Sequence, residues 1–273
     1  MKLTRTPLSR SWLALVAGAL IPTALTIAPV ERPQASDDLN AVLWVQRSAE
    51  YRALCEQTFA TATRALDLAL ADESRTAAIE QIGSEFEQLP PAIIVDVDET
   101  MLDNSPYNAR LIEDDSSYEL ESWTAWVEER KAEPIPGALE FVRRATTLGI
   151  TVFYVTNRDK GLEVATRDNL ERCGFPVSLD QLLMREEIDQ DGIEKRNRRA
   201  HIAKSHHILM LAGDDLGDFL PGSRSASAVE RESSRQLYST LFGERWFVLP
   251  NPIYGSWTKS LGDDKRAALR ADR

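Results

Sequence analysis

The chain has 273 residues, 43% of them hydrophobic, which is ample for one large domain with a proper core. Its formal net charge of -11 argues against a nucleic-acid polymer as partner, because such binding needs a basic stripe to displace counterions from phosphates. A small anionic substrate stays open if a metal offsets the charge. At the start, Lys2, Arg5 and Arg10 precede the apolar run SWLALVAGALIPTALTIAPV, and the chain then turns acidic. This is the charged start and apolar centre of a secretory signal over residues 1–35, with small residues for cleavage after Ala28 or Ala35. No Cys is present there for lipid attachment, so the expectation is a periplasmic or secreted protein with no stable membrane insertion. An uncleaved anchor is the rival, but Pro22, Thr23 and Thr26 interrupt a run that is marginal beside the roughly 20 apolar residues of a spanning helix. Removing the segment leaves the remainder more acidic still. The two cysteines, Cys55 and Cys173, could pair in an oxidising compartment or stay as buried thiols, and the sequence leaves both open.

Residues 36–273 read as one domain. The stretch from Asp37 to Ala71 lacks Gly and Pro and spaces its apolar residues helically, which predicts one long N-terminal helix; a second is expected over Ser74 to Gln88. Ala92 to Val97 is an apolar run typical of a strand covered on both faces. There follow a helix over Pro136 to Leu148, a strand over Ile150 to Val155, a helix over Asp159 to Cys173 and a short strand over Leu182 to Arg185. A helix over Glu194 to Ser205 and strands over His207 to Leu211 and Trp246 to Leu249 complete the series. Strands alternating with helices predict an α/β fold, a Rossmann-like parallel sheet flanked by helices. Residues 106–134 are too long for an ordinary connection, carry Tyr107, Tyr118, Trp123 and Trp126, and predict a small cap over a site. The piece GSRSASAVERESSRQ, from Gly222, is expected to be a solvated loop and helix start.

Polar groups gather at the predicted strand ends, where open parallel sheets bind ligands. The first strand runs into Asp96 and Asp98, the second into Thr156, Asn157 and Arg158, and the fourth into Gly213, Asp214, Asp215 and Asp218; Lys195 and Arg198 lie on the helix before that last strand. Carboxylates placed so close repel unless a cation lies between them, and Mg²⁺ prefers a few hard oxygens while leaving room for a phosphate oxygen. Asp96 and Asp214 can hold such an ion. Asp98, two residues on in an extended chain, returns to the side of Asp96, so one carboxylate can attack phosphorus while the other moves the proton. Taken singly, Thr156 could cap the next helix, Lys195 lies in a basic run that is usually solvated, and Trp123, Trp126 or Tyr107 could simply pack the cap. His201, His206 and His207 form no metal-ligand pattern.

DVDET, Thr156, Lys195 and GDDLGD resemble the four motifs of the haloacid dehalogenase (HAD) superfamily. LDNSPY, WTAWVEERKAEPIPGALEF, VFYVTNRD, GDDLGDF and LPNPIYGSW, in that order, are similar to the class C acid phosphatases, which include bacterial lipoprotein 5'-nucleotidases. The resemblance implies the HAD fold with its cap and N-terminal helices, Asp96 as the nucleophile that forms an aspartyl-phosphate, and Asp98 as the acid and then the base. It implies Mg²⁺ on Asp96, the Asp98 backbone carbonyl and Asp214, with Asp218 orienting that set, and phosphate held by Thr156 and Lys195, Asn157 and Arg198 being weaker candidates. Trp123 and Tyr254 match the aromatics that sandwich a base, so the implied substrate is a phosphomonoester, a nucleoside 5'-monophosphate first. Asp215 stands where the family often has Asn, and the family's lipidation cysteine is missing. Two alternatives stay open: a non-catalytic binding or storage protein on the same fold, and a phosphatase for sugar or aryl phosphates.

Overall fold

The computed structural model describes residues 35–185, 188, 192–262 and 264–270. Apart from Ala35, the expected secretory signal lies outside the described residues. From Ala35 the chain forms two helices in place of the expected one, α1 (Ala35–Arg47) and α2 (Ala49–Ala71). The break falls at Ser48, whose backbone is extended and whose hydroxyl accepts from the Tyr51 amide, the role for which short polar side chains suit a helix start. The helix expected over 74–88 is reduced to a single 3-10 turn at Ile79–Gln81. Gln81 is buried and its amide donates to the Ala203 and His206 carbonyls while accepting from the Ile208 amide, tertiary bonds that override a modest local helix preference.

The sheet begins with β1 (Pro91–Val95). A short antiparallel ribbon, β2 (Leu102–Asp103) with the later β3, then brackets the expected cap, which folds as α3 (Ser105–Glu113) and α4 (Leu120–Glu128) ahead of β3 (Glu133–Pro134). Next come α5 (Ala138–Thr147), β4 (Thr151–Val155), α6 (Glu163–Arg172), β5 (Leu182–Leu183), α7 (Arg196–Ala203) and β6 (His207–Gly213). The chain continues through α8 (Ala228–Leu237), β7 (Trp246–Val248) and α9 (Ser256–Lys259). The five main strands are all parallel in the order β5-β4-β1-β6-β7, an α/β sheet flanked by helices.

Both faces of this sheet are dry, which is why its strands are continuous apolar runs. Ile93 and Val95 of β1 and Val152 and Tyr154 of β4 face one core with Phe59 and Leu66 of α2 and Phe141 of α5; Ala92, Ile94, Phe153 and Val155 face the other with Ile202 of α7 and Trp246. After β5 the chain crosses β1 to form β6, so strand order reverses at β1, and the crevice beyond its carboxyl end is the topological switch point. Arg199, read as part of a solvated basic run, is instead fully buried and paired with Glu80 at 2.6 Å, fastening α7 to the 3-10 turn. Cys55 and Cys173 are free thiols, and burial pushes Cys55 up to about 11. Among the described residues no helix is long and apolar enough to cross a membrane.

Candidate active site

β1 ends in a tight turn. The Asp96 amide still bonds the Ala212 carbonyl of β6, but Val97 then accepts from the amides of Met101 and Leu102, and Glu99 takes a left-handed conformation, φ 58°. For a residue with a β-carbon that conformation is uncommon and is held only by its surroundings. The turn projects Asp96 and Asp98 into the crevice, where the end of β6 delivers Asp214 and the 3-10 turn Leu216–Asp218 delivers Asp218.

Asp96, Asp214 and Asp218 each offer an oxygen, all within 4.8 Å of one another. Lys195, at the start of α7 and 3% exposed, pairs with Asp96 and lies 2.7 Å from Asp218 Oδ1, an oxygen that is buried yet makes no hydrogen bond. Burial raises the Asp96 carboxyl above its ordinary range; Lys195 opposes the rise, and Asp218 and Asp98 add to it. Burial, then Asp218 and Asp96, raises Asp214 further. Even with Arg224 3.9 Å from Asp218, the set keeps surplus negative charge, and its donors are hard oxygens alone. These residues fit a divalent cation of the Mg²⁺ kind. Asp218, expected behind the metal ligands, reaches as near as the other two. The Asp98 carboxylate is not one of the three.

Asp98 Oδ1 accepts from Arg158 Nε at 3.0 Å and Nη2 at 2.8 Å and from Asn104 Nδ2 at 2.9 Å, while Oδ2 accepts from the Thr156 hydroxyl at 3.2 Å. Thr156 is fully buried; its hydroxyl also accepts from the Arg158 amide, a turn bond that caps no helix, since the next N-caps are Asp159 and Leu162, and it does not line the cavity in which a phosphate contact was expected of it. Asn157 does line it, oriented by Arg198 Nη2 at 2.7 Å. Arg198 is otherwise spent on the carbonyls of Thr156 and Glu194, so it staples α7 to the end of β4, and burial pulls its guanidinium down to about 10. Asp215 points away from the carboxylate triad: it accepts from Gly217 and Ser256, and although burial works against its charge, Arg224 and these donors hold it below the usual range.

Asp96, Asp98, Asn157, Arg158, Lys195 and Asp214 line a cavity of about 510 Å³, within the range of small-molecule sites. Its wall includes Trp123 and Tyr107, ring centres 5.2 Å apart and edge to face, with Tyr254 from the loop before α9. Trp123 and Tyr254 thus border one cavity. Two cations of the site have no role in the motifs. Arg158 was visible at a strand end but unassigned, and Arg224, in the piece expected to be solvated, reaches the cavity with its Nε buried and unbonded. Only its spacing after GDDLGD marked it, and spacing cannot separate a buried arginine from a surface one.

Known proteins bear on this geometry. The family model of HAD superfamily subfamily IIIB, acid phosphatase, matches residues 15–257. Among curated proteins, Acid phosphatase 1 of Solanum lycopersicum is 29% identical over 170 residues, covering 59% of this chain and 57% of its own length. Vegetative storage protein 1 of Arabidopsis thaliana is 23% identical over 165 residues, with 59% and 54% covered. The chain therefore spans a little over half the length of these relatives. The class C acid phosphatase of Bacillus anthracis superposes with a TM-score of 0.76 at 29% identity, covering 88% of this chain and 99% of that one. Its tungstate-bound structure gives 0.78 at 30%, covering 89% and 100%. The chain belongs to the acid phosphatases of HAD subfamily IIIB.

Proposed function

We propose that this chain is a Mg²⁺-dependent phosphomonoesterase working through an aspartyl-phosphate, with nucleoside 5'-monophosphates as substrates. The observation that carries the reading is that Asp96, Asp214 and Lys195 line a cavity that also holds Asp98, with the Asp218 carboxylate within 4.8 Å of those of Asp96 and Asp214. An Asp96 oxygen attacks phosphorus as the ester P–O bond breaks, and Asp98 gives its proton to the departing oxygen. Asp98 then takes a proton from water as that water attacks the phosphorus, freeing phosphate and restoring Asp96. Lys195 and Asn157 meet the phosphoryl oxygens, Lys195 offsetting the charge that develops on them. Mg²⁺, held by Asp96, Asp214, Asp218 and the Asp98 carbonyl, would neutralise the carboxylates and draw charge from the phosphoryl group. Tungstate, bound by the Bacillus anthracis relative, is a tetrahedral oxyanion like phosphate, which supports an anion site in this family.

The test is phosphate release by the purified chain with Mg²⁺ and with EDTA, beside Asp96→Asn. Metal-dependent release that the variant abolishes is expected. No release from nucleotide, sugar or aryl phosphates would favour instead a binding or storage protein, the kind of name one relative carries. The aromatic wall supports the nucleotide over a sugar phosphate: stacking on Tyr254 is worth about 1–3 kcal/mol per base, so Tyr254→Ala should lower kcat/KM for a nucleotide roughly tenfold and for a sugar phosphate far less. Export by the segment before Ala35 is part of the same proposal, and the N-terminal sequence of the exported protein tests it.

A further inference from the structure

LDNSPY contains a residue to which neither the expected chemistry nor the metal set gives a purpose. Asn104 precedes α3 and is fully buried, a position where Asn usually spends its side-chain oxygen on the helix's own amides. It makes no such bond here. Its backbone amide donates to Glu99 Oε1 at 2.7 Å, and its side chain turns to the site. The Trp126 indole N–H, a donor only, bonds Asn104 Oδ1 at 2.9 Å; this settles which way the amide points and commits Nδ2 to Asp98 Oδ1. Arg158 donates twice to the same Asp98 oxygen, and its guanidinium lies 5.5 Å from the centre of the Trp123 ring. Trp123 and Trp126 are both on α4, so the cap helix backs both groups that grip Asp98.

We propose that Asn104 and Arg158 are positioning residues that saturate Asp98 Oδ1 and so leave Oδ2 to exchange the proton with the leaving oxygen, with α4 bracing the pair through Trp126 and Trp123. Three donors on Oδ1 against one on Oδ2 fix the carboxylate's rotation, and the cap thereby contributes to the chemistry as well as to the cavity wall. The inference rests on the proposed role of Asp98 as acid.

Phenyl and 4-nitrophenyl phosphate separate positioning from mere support, since they share a shape but only phenolate leaves poorly without a proton. kcat/KM is the quantity to read, because it ends at the first irreversible step and excludes the later hydrolysis. General acid–base catalysis contributes about 10²–10⁴-fold, so Asn104→Ala is expected to cost roughly 30-fold on phenyl phosphate and about threefold on 4-nitrophenyl phosphate. Trp126→Phe removes the indole N–H together with part of the buried ring, so some stability is lost as well; at a temperature where the variant is folded it should show the same split, several-fold in size. Asp98→Asn sets the scale, with the largest split of all. Equal losses on both substrates in Asn104→Ala and Trp126→Phe, beside a clear split in Asp98→Asn, would overturn the inference and leave the acid assignment standing. No split in Asp98→Asn would remove the assignment and the inference together.

Discussion

Gly213, the last residue of β6, shows how closely the triad is packed against backbone. A β-carbon added there would lie 2.2 Å from Asp218 Oδ2 and 2.5 Å from Asp218 Cβ, far inside van der Waals contact. The glycine is required by that approach, since its φ falls outside the left-handed region. Gly213→Ala must push Asp218 away from Asp96 and Lys195, and the expected result is a loss of about 100-fold or more in kcat, because misplacement of about 1 Å near the chemistry can cost that much. A kcat within about threefold of the parent would show that Asp218 is not needed where it stands. Gly213 was legible in GDDLGD, as were Asp96, Asp98, Lys195 and Asp214, because motif spacing transmits the ends of strands directly. Arg224 and Asn104 were not legible in role. Arg224 meets Asp218 across a tight local turn and Asn104 meets Trp126 across the cap, and neither pairing follows a helix or strand period that one chain read alone would show.

At the scale of elements, strands were easier to read than helices. Each apolar run became a strand because two dry faces demand one, with bounds shifted by only a residue or two at most ends. The helix misread over 74–88 failed because side-chain bonds to distant backbone, those of Gln81 above all, decided the segment. The same region supplies a test of how α7 is held. Arg199 Nη2 meets Glu80 Oε1 at 2.6 Å, both side chains nearly inaccessible, and α7 begins next to Lys195. Breaking a buried pair strands the remaining charge at a cost of about 3–5 kcal/mol, whereas apolar replacement of both partners is often neutral. Arg199→Met should therefore lower unfolding free energy in urea by about that amount, and Arg199→Met with Glu80→Leu should recover part of it, the Gly217 and Asp218 carbonyls that Arg199 Nη1 also serves staying unpaired. If the double variant is no more stable than the single one, the pair is not the fastening.

Across the whole molecule the dominant electrostatic fact is acidity concentrated in one crevice. Asp96, Asp214 and Glu99 are each raised, burial first in every case and neighbouring carboxylates after it. A carboxyl whose folded value exceeds its unfolded value binds more protons in the native state between the two, so stability falls as pH rises through that window. In EDTA the melting temperature should consequently drop as pH climbs from about 4, the ordinary carboxylate range, toward neutrality. Mg²⁺ should raise the melting temperature most at the neutral end, since binding to the native state alone adds stability there. The chain's net charge of -11 also disfavours the compact state at high pH, so the two causes must be separated. Asp214→Asn removes a raised carboxyl, and Glu85→Gln an exposed one. If the crevice dominates, Asp214→Asn flattens the pH slope in EDTA, raises the melting temperature there and abolishes the gain from Mg²⁺, while Glu85→Gln leaves all three unchanged. Equal flattening by both variants would assign the slope to overall charge and leave the crevice with no special share of it.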